Sequence, residues 1–308
     1  MPLRKWKESF RDAMAWFVGT KLLRYTPQWV NFVYDSLPHE TLVFLVHHGF
    51  FGKPTSAFDW KVSLTNGHAL RLKVNPQDAY SMGYALHYKI HDVGLRRVQE
   101  MLSDQLPPRS LYLDIGANIG VSSIYALSQG VECWLFEPNT ALRPFVEALF
   151  TENGFAKARH EDVALSSAFG EAEFFISESS YLSSFDAEHA AKDGKLRSVR
   201  VPLKPLDSYL PEIKLKADHL LIKIDVEGHE LKVLEGAIET LKHFSPVVML
   251  ELLHNQDARA QAYEFMRGLG YSCEGIVDSP KLKLVALPNL EAVQAFEDIN
   301  FLFQRTHA

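Results

Sequence analysis

Apolar residues in this chain fall into short runs separated by stretches that repeat about every 3.6 positions. Leu111, Tyr112, Leu113 and Ile115 form one run, broken only by Asp114. Val131 to Phe136 forms a second. Leu220 to Ile224 forms a third, broken by Lys223, and Pro246 to Leu253 a fourth, broken by Glu251. Runs of this length suit parallel strands covered on both faces. Helical spacing lies between them. Val121, Ile124, Tyr125 and Ser128 share a face, with Gly130 placed to end that helix. Leu142, Phe145, Val146, Leu149 and Phe150 predict a helix that stops near Asn153-Gly154. Leu231, Leu234, Ile238 and Leu241 predict another, and Ala258 to Leu269 a third. Further strands are expected over Ala158–Leu165, Glu171–Ser177, Val199–Leu203, Tyr271–Val277, Leu282–Leu287 and Asn300–Gln304. Strand and helix alternate, which predicts an α/β fold with a mostly parallel sheet.

Before Leu111 the pattern changes. Trp60, Val62 and Leu64, then Leu70, Leu72 and Val74, alternate around Asn66-Gly67, which predicts a β-hairpin with a two-residue turn. Tyr80 to Leu102 reads as helical. The stretch 1–79 is therefore expected to be an appendage of helix and hairpin, and 80–308 the main domain. In Met1–Tyr25 six basic residues face two acidic ones, and Trp6, Phe10, Met14, Phe17 and Leu22 can share a helical face. Such a segment suits docking on the domain or on a second copy through residues 1–55, or peripheral contact with a membrane. Thr41 to Phe51 is apolar but too short to span a bilayer. His47 and His48 are adjacent, and His87 and His91 lack a third ligand nearby, so neither pair is read as a metal site.

Composition narrows the class. The chain has 308 residues, 47% hydrophobic, enough for a large core and unlike a disordered chain. Its net charge of −6 gives no global basic field for nucleic acid. Cys133 and Cys273 both fall in expected strands and read as buried thiols. No apolar run reaches 18 residues and no uninterrupted signal core opens the chain, so a cytoplasmic protein is expected.

The chemistry concentrates in two places. After the first run come Gly116, Ala117, Asn118 and Gly120, small residues that allow a sharp turn and close approach of a ligand to the following helix. Glu137 ends the next run, 21 positions after Gly116, where a Rossmann-like fold hydrogen-bonds a ribose diol; Pro138 then breaks the strand. Gly-Ala-Asn-Ile-Gly lacks the middle glycine that lets a pyrophosphate approach. Asp114 beside the turn would repel a pyrophosphate and attract an ammonium or a sulfonium. The charge argument favours S-adenosylmethionine over NAD. Glu161 or Asp162, at the end of the third strand, can accept from an adenine amino group or belong to a solvated turn. The polar stretch from Ser177 to Arg197 is the expected substrate loop.

The second place is Asp225-Val226-Glu227-Gly228-His229-Glu230, at the end of the strand carrying Lys223. Ligands of open α/β sheets bind beyond the carboxyl ends of the strands. A hydroxyl is a poor nucleophile at neutral pH, so its methylation needs a base. Clustered carboxylates raise one pKa, and histidine titrates near neutrality. Asp225, then Glu227, then His229 are the candidate bases, with Glu251 in the same cluster. A divalent metal held by Asp225, Glu227 and Glu251 would instead lower the hydroxyl pKa directly. In the bland alternative, Lys223 pairs with Asp225 or Glu251 and only orders the sheet.

With both stretches in view, the chain resembles the FkbM-type methyltransferases, a branch of the class I S-adenosylmethionine-dependent fold. The resemblance rests on Asp114 to Gly120, Phe136-Glu137-Pro138, Val163-Ala164-Leu165-Ser166, Leu206 to Leu210, Lys223 to Glu230, Leu234-Glu235-Gly236-Ala237, Glu251 and Asn300 to Phe303. It covers about residues 80–304. It implies a Rossmann-like, doubly wound, seven-stranded sheet with one antiparallel strand. It also implies O-methylation, often of sugars, glycans or polyketide-type hydroxyls. By position it implies that Asp114, Gly116, Asn118 and Gly120 hold the methionine part of the cofactor, Glu137 the ribose and Asp162 the adenine. Asp225 and Glu227 then line the transfer site.

Overall fold

The computed structural model describes residues 37, 41–42, 57–75, 88, 91–177, 183–191 and 196–305. The basic segment before Tyr25, most of Thr41–Phe51, His47, His48, His87 and parts of the Ser177–Arg197 loop lie outside the described residues. Among the described residues, no helix is long and apolar enough to cross a membrane. The chain divides into two units, Met1–Val93 with Glu147–Gly154, and Gly94–Val146 with Phe155–Ala308.

In the first unit, β1 (Phe58–Ser63) and β2 (Ala69–Val74) form an antiparallel hairpin. Trp60, Val62, Leu64, Leu70, Leu72 and Val74 are buried, as the alternation requires. The turn departs from the two-residue expectation. Leu64 N donates to His68 O at 2.7 Å and Gly67 N to Leu64 O at 3.0 Å, so three residues form the loop. Gly67 takes φ +85°, the left-handed position that closes such a loop. Asn153 fastens this unit, accepting from Arg71 N at 2.8 Å and donating to Arg71 O at 2.7 Å.

The second unit holds an eight-stranded sheet. Its strands are β3 (Ser110–Ile115), β4 (Glu132–Phe136), β5 (Ala158–Glu161), β9 (His219–Ile224), β10 (Val247–Glu251), β11 (Tyr271–Ile276), β12 (Leu284–Ala286) and β13 (Asn300–Arg305). Their order is β12-β11-β13-β10-β9-β3-β4-β5. β5, β4, β3, β9 and β10 pair in parallel, and β13 runs antiparallel between β10 and β11. These seven match the expected sheet, and three-residue β12 adds an antiparallel edge. The chain leaves β3 toward β4 and β5, then returns to β9 on the other side. That reversal opens a crevice at the carboxyl ends of β3 and β9.

Side chains alternate across the sheet. Leu113, Ile115, Trp134, Phe136, Ile222, Ile224, Val248, Leu250, Phe301 and Phe303 pack in one core with Ile213, Val233, Leu241, Ala262 and Met266. These come from α5 (Leu210–Lys216), α6 (Glu230–Glu235), α7 (Ile238–Phe244) and α8 (Gln256–Gly268). On the other face Tyr112 accepts from Gln99 of α1 (Val93–Asp104), and Asp114 from Ser123, the residue before α2 (Ile124–Ser128). Helices thus cover both faces; α3 (Arg143–Glu152) follows β4, and α4 (Ala187–Ala190) follows Ser184-Phe185.

Three local expectations change. The single helix expected over 231–241 is two, α6 and α7, broken at Gly236-Ala237. A Cβ on Gly236 would sit 2.0 Å from Ser166 O, so backbone packs where a side chain would stand. Asp207 reaches in to cap α7, accepting from Glu239 N and Thr240 N at 3.0 and 2.8 Å. The strand region expected over 158–165 splits between two sheets. β5 stays in the main sheet, while β6 (Ala164–Leu165) joins β8 (Leu196–Lys204) and β7 (Gly170–Ser177) in a three-stranded one. A short helix, α9 (Leu290–Ala295), was not foreseen; Asn289 caps it through Ala292 N at 2.9 Å.

Candidate functional site

The crevice is lined from the β3 side by a carboxylate and a run of turns. Asp114 is fully buried at the end of β3 and accepts from Ser123 Oγ at 2.7 Å. Burial pushes its pKa up, and the neighbouring Lys223 ammonium and the Ser123 hydroxyl work against that. Its Oδ1 is buried with no hydrogen-bond partner among the described residues, as is Oδ1 of Asn118. Gly116, Asn118 and Gly120 all take positive φ, +75°, +48° and +77°. Gly116 is irreplaceable on space alone, since a Cβ there would lie 1.7 Å from Asp225 O. Gly116 N and Ala117 N donate to Phe136 O, and Gly120 N to Ala117 O. This closes a turn of backbone around the carboxyl ends of β3 and β4.

Glu137, at the end of β4, is held by two backbone N–H groups. Oε2 accepts from Asn118 N and Oε1 from Asn139 N, each at 2.8 Å. Pro138 stands between these bonded residues. Burial raises the Glu137 pKa to about 7, against the lowering by these two N–H groups and by Lys223. Asp162, beyond β5, lies in an ion pair: Arg143 Nε donates to Oδ1 at 2.9 Å, and His160 Nδ1 lies 3.3 Å away. Glu161 is drawn into a different network, with Arg159 Nε at 2.8 Å and Tyr209 OH at 3.1 Å.

On the β9 side, register places charge beside charge. Lys223 is the pairing neighbour of Asp114 on β3, and Asp225 N extends that ladder to Ile115 O at 3.0 Å. Aligned residues of parallel strands point to the same face, so Asp114 and Lys223 share one. Lys223 is buried, and its Nζ donates to Asp225 Oδ2 at 2.7 Å. Burial would lower its pKa, but the carboxylates of Asp225, Asp114 and Glu251 outweigh it and hold the ammonium charged. Asp225, Glu227 and Glu251 offer carboxylate oxygens that all lie within 4.8 Å of one another.

His229 stands apart from that cluster. Its Nε2 lies 2.9 Å from Ser166 Oγ, and its ring packs 4.5 Å from that of Phe185. Burial, and then Lys232, lower its pKa to about 4, so it is neutral at pH 7. Glu230 closes the turn by accepting from Gly228 N at 2.8 Å. The structure therefore brings Asp114, Lys223, Asp225, Glu227 and Glu251 together across three neighbouring strands, and seats His229 in a separate contact. From sequence, Ser123 carries no role, Ser166 stands only among the residues of the family resemblance, and Ser184 and Phe185 belong only to the expected substrate loop. Ser166 and Ser184 lie 63 and 43 positions from their partners, so only the closed fold reveals those pairings, whereas Ser123 is nine positions from Asp114.

The model of the methyltransferase FkbM domain matches residues 114–273, the span from Asp114 into β11. Among solved structures, the chain is similar to a methyltransferase FkbM from Methylobacillus flagellatus, at 14% identity and a TM-score of 0.43. The match covers 73% of this chain and 55% of that one. It is also similar to a precorrin-6y C5,15-methyltransferase from Geobacter metallireducens (12%, TM-score 0.38, covering 70% and 88%). A third is magnesium protoporphyrin IX methyltransferase from Synechocystis, with bound S-adenosylmethionine (11%, TM-score 0.38, covering 70% and 81%). The chain thus spans about half the length of the Methylobacillus protein. A search of curated proteins returns no match. With more than half of its residues matched, including the glycine turn and the Asp225-Glu227 turn, the chain belongs to the FkbM methyltransferase family.

Proposed function

We propose that the protein is an S-adenosylmethionine-dependent O-methyltransferase acting on a hydroxyl of a sugar, glycan or glycoconjugate. The observation that carries this reading is the carboxylate cluster of Asp225, Glu227 and Glu251 at the same crevice as the glycine turn. The cofactor side fits a cationic nucleoside. Asp114 Oδ1 and Asn118 Oδ1 are buried acceptors without partners among the described residues, and they suit an ammonium donor. In this reading Gly116, Ala117 and Gly120 leave the backbone open beside them. Glu137 takes the ribose diol, Pro138 ends the strand at that point, and Asp162 faces the adenine. When bound, S-adenosylmethionine supplies a methyl group on a positively charged sulfur.

The chain's own residues then position the acceptor and remove its proton. Asp225 is the first candidate base and Glu227 the second. Lys223 stays protonated, so it takes no proton; it fixes one oxygen of Asp225 and leaves the other for the acceptor. His229, neutral and turned to Ser166, ranks below both carboxylates. The same three carboxylates are close enough to share a divalent cation, which is the second reading of the cluster. A third reading keeps the fold as a nucleoside-binding scaffold without turnover.

Titration calorimetry with S-adenosylmethionine, and separately with NAD(H), separates these readings. Saturable binding of S-adenosylmethionine alone is expected, followed by methyl transfer in a screen of glycan hydroxyl acceptors. Binding that vanishes with EDTA favours the metal reading. Binding without methyl transfer to any acceptor leaves the scaffold, and an absence of S-adenosylmethionine binding sinks the enzyme reading.

A further inference from the structure

We propose that Ser184 is a positioning residue for the transfer site, fixing the turn that carries Glu227. The assignment rests on reading the carboxylate cluster as that site. Ser184 is buried and lies outside both sequence stretches that carry the chemistry. Its backbone is pinned to β7, with Phe175 N donating to Ser184 O at 2.9 Å and Ser184 N to Phe175 O at 3.0 Å. Its hydroxyl accepts from Asp186 N at 3.0 Å and donates to Glu227 O at 2.7 Å. A single side chain therefore ties the three-stranded sheet to the backbone of a candidate catalytic carboxylate.

The tie falls where the backbone most needs one. Glu227 has φ +51° and Gly228 +98°, both left-handed. Glycine takes that region freely, but a glutamate keeps it only when its surroundings hold it there. The turn directs the Glu227 side chain back toward Asp225 and Glu251, where its oxygens lie within 4.8 Å of theirs. Releasing the Glu227 carbonyl would let φ relax, and the carboxylate would swing out of the cluster. The next residue, Phe185, supports the same turn from its other end. Its ring packs between His229, at 4.5 Å, and Phe174, at 5.2 Å, and so seats the His229 that follows Gly228.

The test uses the full chain, labelled with 15N and with 13C at the Glu and Asp carboxyls, as wild type, Ser184→Ala and Ser184→Thr. In S184A the amides of Gly228 and Glu230 are expected to exchange about fivefold faster or more, as one lost hydrogen bond permits. The Glu227 carboxyl resonance and its titration midpoint are expected to move. The dissociation constant for S-adenosylmethionine is expected to stay within about twofold, since no Ser184 contact touches the β3 turn. S184T, which keeps the hydroxyl, should restore both signals. A residue that merely stabilised the fold would shift the melting temperature without moving the Glu227 titration. Unchanged exchange and an unchanged Glu227 titration in S184A would overturn the assignment. If S184A does not fold, Ser184→Cys is read on the same two signals. If the wild type binds no S-adenosylmethionine, the cofactor reading fails on its own, and the exchange and carboxyl signals still decide whether Ser184 holds the turn.

Discussion

The two sides of the crevice hold their acids in opposite ways. On the β3–β4 side, Glu137 is buried and takes one backbone N–H on each oxygen, from residues 19 and 2 positions away. On the β9–β10 side, Asp225 is about a quarter exposed and is held by the ammonium of Lys223, while Glu227 is placed through its backbone by Ser184. Backbone donors fix an acid in one geometry without neutralising it, which suits recognition of a fixed diol. A cation beside a part-exposed cluster keeps several carboxylates together at tolerable repulsion and leaves oxygens facing the crevice. That suits a group that must meet a variable hydroxyl and take its proton. In the proposed reading, the difference separates a recognition half from a reaction half, although the strands carrying them are adjacent.

The largest expected effect comes where the halves touch. Gly116→Ala forces a Cβ to within 1.7 Å of Asp225 O, at a φ of +75°. Backbone meets backbone there, so no side-chain motion relieves it. Urea unfolding is expected to show a loss of about 4 kcal/mol or more. A loss under about 1 kcal/mol would mean that the two turns are not in contact.

Lys223→Met breaks the reaction half from beneath. It leaves Asp114 and Asp225 without their shared cation, one of them fully buried. The expected loss is about 3 kcal/mol, because a buried charge left unpaired costs more than the pair contributed. Methyl transfer should fall with it. A variant as stable as the wild type but inactive would show that Lys223 acts on the reaction and not on the sheet.

These two sites differ in how plainly the sequence displays them. The recognition half is local: Asp114, the glycine turn and Glu137 fall within 24 residues, and the positions with positive φ are mostly glycines that announce themselves. Apolar runs separated by helical spacing pointed to parallel strands, while the seven-stranded sheet with one antiparallel strand was implied by the family resemblance, and the strand order itself was not read from the sequence. The reaction half was legible only as far as its own strand. Asp225 and Lys223 share a face by the period of two, but nothing local told that Ser184, 43 residues away, holds the Glu227 carbonyl. The break at Gly236 was hidden for the same reason. Helical periodicity runs on through it, and the backbone that packs there is that of Ser166, just after β6 of the smaller sheet. At Asn66-Gly67 the residue types were right and the loop length wrong, because a left-handed glycine closes either a two- or a three-residue turn.

Removing the recognition carboxylate tests whether the halves are separable. Glu137→Ala is expected to weaken S-adenosylmethionine binding about tenfold or more, the loss of two hydrogen bonds to a charged acceptor. An unchanged dissociation constant in calorimetry would remove Glu137 from the ribose role.

The smallest effect is the most diagnostic, because only one half should show it. Burial raises the Glu137 pKa from 4.5 to about 7, so the folded chain holds this proton more tightly than the unfolded one. Stability from this group is therefore greatest in acid and declines as pH rises from about 4.5 through 7. With Glu137 in the proposed ribose role, cofactor affinity is expected to run the other way, since an ionised carboxylate accepts from both hydroxyls of a diol. Between pH 6.5 and 7.5 the ionised fraction rises about threefold, and the binding constant should follow it. His229, on the reaction side, has a pKa near 4 and stays neutral across that interval, so it adds no slope of its own. Calorimetry at the two pH values on wild type and on Glu137→Gln isolates the term. The slope should be present in the first and absent in the second. A slope that survives in E137Q would place the titrating group elsewhere and erase the distinction between a buried recognition acid and a part-exposed reaction cluster.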